Sequence, residues 1–149
     1  MTLSLQDLSD LAEIRALRDR FGQAVDARDW AALDALFTPT VDVDLSAFGV
    51  PAGPMPRDAL VGIFRHSFRN PETRTMQVYS GAVITVTGDS ATSVTQLYGH
   101  HHQPGAAGGD TFELRAIYHD GLKRTPQGWR IAATRLQVVS IIGNIGLVS

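Results

Sequence analysis

Gly88-Asp89 sits between two long runs rich in Val, Thr and Tyr, Arg74 to Thr87 and Ala91 to His102. Runs of that kind around a two-residue Gly-containing turn form an antiparallel hairpin. With Thr87 opposite Ser90, paired residue numbers keep a constant sum. Val83 then opposes Val94, Tyr79 opposes Tyr98, and Gln77 opposes His100. Cross-strand partners point to the same side of a sheet. One face is therefore expected to carry Gln77, Tyr79, Gln96, Tyr98, His100 and His102 among apolar neighbours. Such a face is a poor plain core and a reasonable wall for a polar-tipped pocket, so a small-molecule site is the leading expectation.

The first half of the chain is helical in pattern. Leu8, Leu11, Ile14, Leu17, Phe21, Ala24 and Val25 recur at three- and four-residue steps, one stripe of an amphipathic helix with Ser4 and Asp7 as its N-cap signal. A second short helix is expected from Trp30 to Phe37, capped by Asp29 and stopped by Thr38-Pro39. Val41, Val43 and Leu45 alternate with Asp42, Asp44 and Ser46 as a short strand, and Phe48 to Met55 reads as a Gly/Pro-rich loop. Pro56 opens a third helix carrying Leu60, Ile63, Phe64 and Phe68, which Asn70-Pro71 ends. After the first hairpin, Thr111 to Arg124 and Trp129 to Ile142 form a second strand pair. Helices first and antiparallel strands after predict an α+β domain with helices packed on one face of a bent sheet. Strands this long bend, and the concave side makes a cavity.

Composition narrows the function classes. At 149 residues and 44% hydrophobic content the chain suits one domain, residues 1–149, with a sizeable core. A net charge of −2, and basic residues that do not cluster with aromatics, argue against nucleic acid and anionic membrane as partners. The chain contains no cysteine, which excludes disulfides, thiolate catalysis and Cys-ligated metals and is compatible with the expected cytoplasmic location. The N-terminal segment does not have the pattern of a secretory signal, and no run reaches the length of a membrane span. Phosphate loops, nucleophile elbows and dinucleotide fingerprints are absent.

Phe21 to Asp26 followed by Arg28-Asp29-Trp30, then Leu33 to Phe37 with Thr38-Pro39, form one recognisable block. Gly88-Asp89-Ser90-Ala91-Thr92, the pair Tyr118 and Asp120, and Gly128-Trp129-Arg130-Ile131 follow in order. In these pieces, across roughly Leu8 to Gly143, the chain resembles the SnoaL-like branch of the nuclear-transport-factor-2-like superfamily. That superfamily includes scytalone dehydratase, ketosteroid isomerase and polyketide cyclases. The resemblance implies an α+β cone: a curved, mixed, mainly antiparallel sheet wrapped on three N-terminal helices, in a homodimer formed through the outer sheet face. Asp26 matches a helix-one aspartate found inside the cone in dehydratase-like members. Asp44 corresponds to the proton-shuttling aspartate of the isomerases if one residue is deleted after Thr38. His100 corresponds to the second strand histidine of scytalone dehydratase. The first histidine of that enzyme is replaced by Gln77, which cannot shuttle a proton. The oxyanion-binding tyrosine of the isomerases is replaced by Phe21, which cannot donate a hydrogen bond.

These residues define the expected site. His100 is the candidate acid/base, because an imidazole both gives and takes a proton near neutral pH. Asp26, opposed by the negative end of its helix, is expected to be buried and paired with His100. Asp44 is a second candidate base, although the pattern favours Val41, Val43 and Leu45 as the buried side of that strand. Gln77, Tyr79, Tyr98, His102, Tyr118 and Phe21 are expected to line the substrate pocket. His101 falls on the opposite face, toward the surface or an interface. Pairing His102 with Thr111 places Glu113 beside His100, and pairing Arg124 with Trp129 places Tyr118 opposite Arg135 and Ala116 opposite Gln137. His100-x-His102 has metal-chelating spacing, but nothing fixes a third ligand among Asp26, Asp44 and Glu113, so neither metal nor cofactor is expected.

The expected function is a cofactor-independent lyase or isomerase, dehydratase-like, acting on a small hydrophobic oxygenated molecule. Alternatives are a non-catalytic binding or structural subunit of the same fold, an epoxide hydrolase using carboxylate-activated water, and a polyketide cyclase.

Overall fold

The computed structural model describes residues 2–149. A long helix α1 (Leu5–Ala27) leads into a short α2 (Trp30–Asp34), strand β1 (Phe37–Asp44), strand β2 (Gly53–Pro56) and helix α3 (Arg57–Ser67). Four long strands follow: β3 (Arg74–Thr87), β4 (Ser90–His102), β5 (Thr111–Thr125) and β6 (Gly128–Gly143). A 3₁₀ turn at Ile145–Val148 closes the chain's described part. The strands form one six-stranded mixed sheet in the order β2-β1-β6-β5-β4-β3, with β1 parallel to β6 and the other pairs antiparallel. The α+β class and its mixed sheet are those expected from the sequence. Among the described residues no helix is long and apolar enough to cross a membrane.

Helix α1 starts with a capping box. Ser4 Oγ accepts from the Asp7 amide at 3.1 Å, and Asp7 Oδ2 accepts from the Ser4 amide at 2.8 Å. Its apolar stripe, with Ile14, Leu17, Phe21 and Val25 buried, packs into a core that includes Leu33, Phe37, Leu60, Trp129 and Ile131. Near the N-terminus the stripe is pinned by a polar clamp. The Asp10 carboxylate accepts from Arg124 Nη1 and Nη2 at 2.7 and 2.8 Å and from Trp129 Nε1 at 3.0 Å. At the other end, α1 lies directly against β3. A Cβ on Gly22 would stand 2.7 Å from the Gln77 carbonyl oxygen and 3.2 Å from the Tyr79 ring. The helix stops at Arg28, in the left-handed conformation at φ 58°. Its guanidinium donates to the carbonyls of Phe68 and Thr73 and to Thr75 Oγ1, which ties the end of α1 to the α3–β3 connection.

Two local expectations change. The second helix ends at Asp34, and Thr38-Pro39 lie inside β1. The β1–β6 register is interrupted between Phe37 and Asp42, so Pro39 sits where the ladder does not need its missing N–H. The segment read as a Gly/Pro-rich loop contributes Gly53 to Met55 to β2, where Met55 pairs with Val41, and Pro56 ends that strand just before α3.

Replacing Gly22 by Ala tests the α1–β3 contact. The added methyl meets backbone rather than a movable side chain, so α1 must lift from β3. A loss of about 1–3 kcal/mol in urea unfolding is expected. A variant as stable as the parent would show that the helix does not rest on β3 as described.

Candidate functional site

The concave side of the sheet, α1, α3 and the C-terminal turn enclose a cavity of about 870 Å³. Most of its wall is apolar, from residues such as Phe21, Phe64, Phe68, Leu97, Phe112 and Leu136. Four polar side chains from the sheet enter it: Gln77 and Tyr79 on β3, His101 on β4 and Tyr118 on β5. Phe21 anchors the aromatic wall, edge-to-face with Phe37, Phe64 and Tyr79 at centroid separations of 6.1, 5.1 and 5.9 Å.

The strand histidine in this cavity is His101, not His100. The first hairpin begins in the expected register, with Thr87 opposite Ser90 and Val83 opposite Val94. Between Val83 and Ser80 the register shifts by one, because Gly81 and Ala82 on β3 oppose Thr95 alone on β4. Gly81 has φ +65°, the left-handed residue of a β-bulge. Beyond it Tyr79 pairs with Leu97, Gln77 with Gly99, and Met76 with His100. A one-residue slip exchanges the faces of a strand relative to its neighbour. Gln77 and Tyr79 therefore stay inside, whereas Gln96, Tyr98, His100 and His102 turn outward.

Each expected site residue has a definite place. Phe21, Gln77, Tyr79 and Tyr118 line the cavity. Tyr98, His100 and His102 lie on the outer sheet face, where the Tyr98 hydroxyl donates to Glu113 at 2.8 Å and His100 Nδ1 is 3.6 Å from the same carboxylate. Glu113 does oppose His100, as expected, but outside the cone. Asp44 closes the end of β1, accepting from the Ser46 amide at 3.1 Å and the Ser46 hydroxyl at 2.6 Å; these bonds hold its carboxyl below the usual range. Val41, Val43 and Leu45 form the buried side of that segment. In the second hairpin Arg124 meets Trp129 as expected, but a bulge at Ala132 on β6 brings Leu136 opposite Tyr118 and Val138 opposite Ala116.

Asp26 does not meet His100. It is half-buried one turn beyond Gly22, against the free edge of β3, where its carboxylate accepts from the Gln77 amide at 2.9 Å and from Thr75 Oγ1 at 2.8 Å. Burial raises its pKa, and the two hydrogen bonds oppose that rise. Asp26 thus satisfies an edge-strand N–H and fixes the backbone of Gln77, whose side chain reaches His101.

His101 is 3% exposed and packed between Phe68 and Phe112, with ring centroids at 5.1 and 5.3 Å. Burial, with the Arg28 cation adding to it, lowers its pKa to about 4, so the ring is neutral at pH 7. Gln77 Nε2 lies 3.1 Å from His101 Nε2; the amide donates, and the ring proton sits on Nδ1. That Nδ1 is buried without a hydrogen-bond partner. A half-turn of the Gln77 amide presents its oxygen instead, so the same residue can serve the other tautomer.

The inner end of the cavity carries a charge that sequence reasoning missed. Arg18, 3% exposed, forms an ion pair with Asp120, with Nε to Oδ2 at 2.7 Å, and donates from Nη2 to Thr134 Oγ1 at 2.8 Å. Its guanidinium carbon stands 3.8 Å from the Tyr118 ring centroid, 4.6 Å from Phe21 and 5.5 Å from Tyr79. The available signal was an arginine within the apolar stripe, between Leu17 and Phe21. For His101 the signal was Gly81, since an isolated glycine within a strand pattern marks a bulge.

Helices and a curved sheet closing on an apolar cavity with a few inward polar groups define a cone-type α+β pocket protein. The SnoaL-like domain model matches residues 6–135, and the chain belongs to that family. The uncharacterized protein Rv2910c of Mycobacterium tuberculosis is 29% identical over 140 residues, spanning 87% of this chain and 85% of that protein. Among solved structures, the Kfla4162 protein from Kribbella flavida is 26% identical, with a TM-score of 0.84 and coverage of 94% and 97% of the two chains. Hexachlorocyclohexane dehydrochlorinase LinA-type3 from Novosphingobium barchaimii shares the fold at 13% identity, with a TM-score of 0.76 and coverage of 93% and 92%.

The buried neutral imidazole makes stability depend on pH. His101 has a folded-state pKa of about 4 against 6.5 for an unperturbed ring. Between these values the unfolded chain binds a proton that the folded chain refuses, so stability falls as pH drops from 6.5 toward 4 and this contribution levels off below. At about pH 5 the loss amounts to about 2 kcal/mol. Urea unfolding at neutral pH and at about pH 5 should show a loss smaller by that amount in His101→Leu than in the parent. Equal losses would remove the buried neutral ring.

Proposed function

We propose that the protein is a cofactor-independent lyase or isomerase, dehydratase-like in its acid/base chemistry, acting on a small hydrophobic oxygenated molecule inside the cone. The observation that carries this reading is His101: a neutral imidazole in the wall of a mainly apolar cavity, with one nitrogen held by Gln77 and the other unpartnered. A proton-transfer group needs these conditions, namely the right protonation state at working pH, a fixed orientation and a vacant nitrogen.

In an elimination, His101 works as the tautomer whose Nε2–H donates to the amide oxygen of a flipped Gln77, and its unprotonated Nδ1 takes a proton from carbon. The released electron pair forms the new double bond, and hydroxide departs and regains that proton from the imidazolium as water. Gln77 orients the ring, and Asp26 acts through the Gln77 backbone as a positioning residue. The name of one structural neighbour, a dehydrochlorinase, denotes an elimination and supports this class. Carboxylate-activated epoxide opening gains no support, because neither Asp26 nor Asp44 is among the residues lining the cavity.

The test uses a panel of small β-hydroxy ketones, with dehydration read from the ultraviolet absorbance of the conjugated enone. His101→Ala should lower turnover by roughly 10²–10⁴, the usual worth of one acid/base residue, whereas His100→Ala should leave it unchanged. The parent rate should be flat across neutral pH and fall in acid with a midpoint near 4, where His101 becomes protonated. Full turnover by His101→Ala would overturn the mechanism.

The reading includes a homodimer through the outer sheet face. That face presents Met76, Val83, Val139 and Ile142 at 63, 68, 61 and 53% exposure. Light scattering should report twice the chain mass for the parent and a single chain for the double variant Met76→Asp, Val139→Asp. A parent that scatters as one chain would reject the dimer.

A further inference from the structure

Gln77 is fixed on three sides. Its backbone N–H donates to Asp26 at 2.9 Å, and its carbonyl oxygen lies 2.7 Å from where a Cβ on Gly22 would stand. The third side is its own side chain, laid across the neighbouring strand. Gln77 pairs with Gly99 in the β3–β4 ladder, between the pairs Thr75–His101 and Tyr79–Leu97. Leu97, Gly99 and His101 are successive buried positions on the inner face of β4, and only the middle one lacks a side chain. A Cβ on Gly99 would meet Gln77 Oε1 at 2.7 Å, Cδ at 3.4 Å and Nε2 at 3.5 Å. The terminal amide therefore fills the space that a side chain at position 99 would take. From that place its Nε2 reaches His101 Nε2 at 3.1 Å. The backbone does not call for glycine here, since Gly99 is not among the glycines with positive φ. A glycine inside a strand weakens the ladder and marks a close approach, and what approaches Gly99 is the amide that holds the proposed proton-transfer ring.

We infer that Gly99 is a positioning residue: it leaves a slot in the inner row of β4 where the Gln77 amide lies and turns over, and Gln77 thereby sets which nitrogen of His101 carries the proton. This deepens the proposed function and rests on it for the role of His101. The two ends of a carboxamide are close in size, so the slot takes either. With the NH₂ end toward the ring, His101 keeps its proton on Nδ1; with the oxygen end toward it, Nε2–H donates and Nδ1 is free to act as a base. A methyl group at position 99 closes the slot to both. Gly99 meets no reacting atom and acts through Gln77.

The experiment compares Gly99→Ala, Gln77→Ala and the double variant. Gly99→Ala should keep the parent's circular dichroism and urea midpoint, because the methyl meets the far end of a flexible side chain rather than backbone. Long-range proton–nitrogen correlation spectra at pH 7 read the two ring nitrogens of His101, whose signals are identified by their loss in His101→Leu. Gly99→Ala should move both signals to the positions they take in Gln77→Ala, and the double variant should match Gln77→Ala alone. On a β-hydroxy ketone that the parent dehydrates, Gly99→Ala should lower kcat about a hundredfold with KM unchanged, and should add nothing to the loss in Gln77→Ala. Parental ring signals in Gly99→Ala, or losses that add to those of Gln77→Ala, would overturn the inference. If Gly99→Ala unfolds, trimming Gln77 in the double variant should restore the fold, and a double variant that stays unfolded would overturn it as well. The ring spectra need no substrate, so a failed slot and a failed dehydration panel give different results.

Discussion

A single extra residue in β3 decides which chemistry faces the cavity. Gly81 and Ala82 stand against Thr95 alone, and the ladder changes phase there. Because side chains alternate with a period of two, the phase change turns His101 inward opposite Gln77's neighbourhood and sends His100 and His102 outward. The bulge also bends the edge strand, as a sheet closing around a cavity requires. Gln77 and Tyr79 lie on the α3 side of the bulge, Ile84 and Val86 on the turn side, and both sets face inward only because of the slip. The polar wall and the packed base of the cone thus belong to two registers of one strand.

Helix α1 has to match that sheet at fixed points, and it does so with charged groups on its inner face. Asp10, Arg18 and Asp26 are spaced eight residues apart and meet, in turn, the β5–β6 turn, the middle of β5 and β6, and the edge of β3. Burying ions costs solvation that Coulomb attraction repays only when geometry is good. Such contacts contribute more to fixing one docking arrangement than to total stability; sliding α1 by a turn leaves each charge without its partner. Gly22 lets this registration bring helix backbone against strand backbone. Asp26 is therefore tied to the site through structure: it sets the position of Gln77, and Gln77 sets His101.

The sequence displayed the fold well because the fold rests on repeated signals. The α1 stripe, the Gly88-Asp89 turn and the second hairpin at Arg124 and Trp129 all appear where pattern places them. The site was legible only in part. Phe21 follows from the helical stripe and the family resemblance, Gln77, Tyr79 and Tyr118 from the strands, and all four are found in the cavity wall. The assignment of His100, Tyr98 and His102 to that wall required a constant register across twelve residues, and one glycine breaks it. Asp26 was expected inside the cone as an acid for histidine, whereas the nearest unsatisfied donor to it is a backbone N–H on the sheet edge, something side-chain pattern does not encode. Arg18 went unread because its partner, Asp120, lies 102 positions away and the pair exists only in three dimensions.

The two polar ends of the cavity differ in a way that constrains any ligand. At the His101 end the group is neutral, kept so by burial and by the nearby Arg28 cation. At the Tyr79–Tyr118 end the donors are neutral but stand in the field of a buried cation. A ligand carrying a positive charge gains nothing at either end, because His101 does not provide an anion and Arg18 repels a cation. A fully apolar ligand leaves the tyrosine hydroxyls and His101 Nδ1 without partners, at the cost that attends buried unpaired polar groups. A compact hydrocarbon frame with an oxygen at one end and an ionisable C–H or leaving hydroxyl toward the other satisfies both. On the proposed function, the asymmetry of the cavity constrains the substrate more than its volume does.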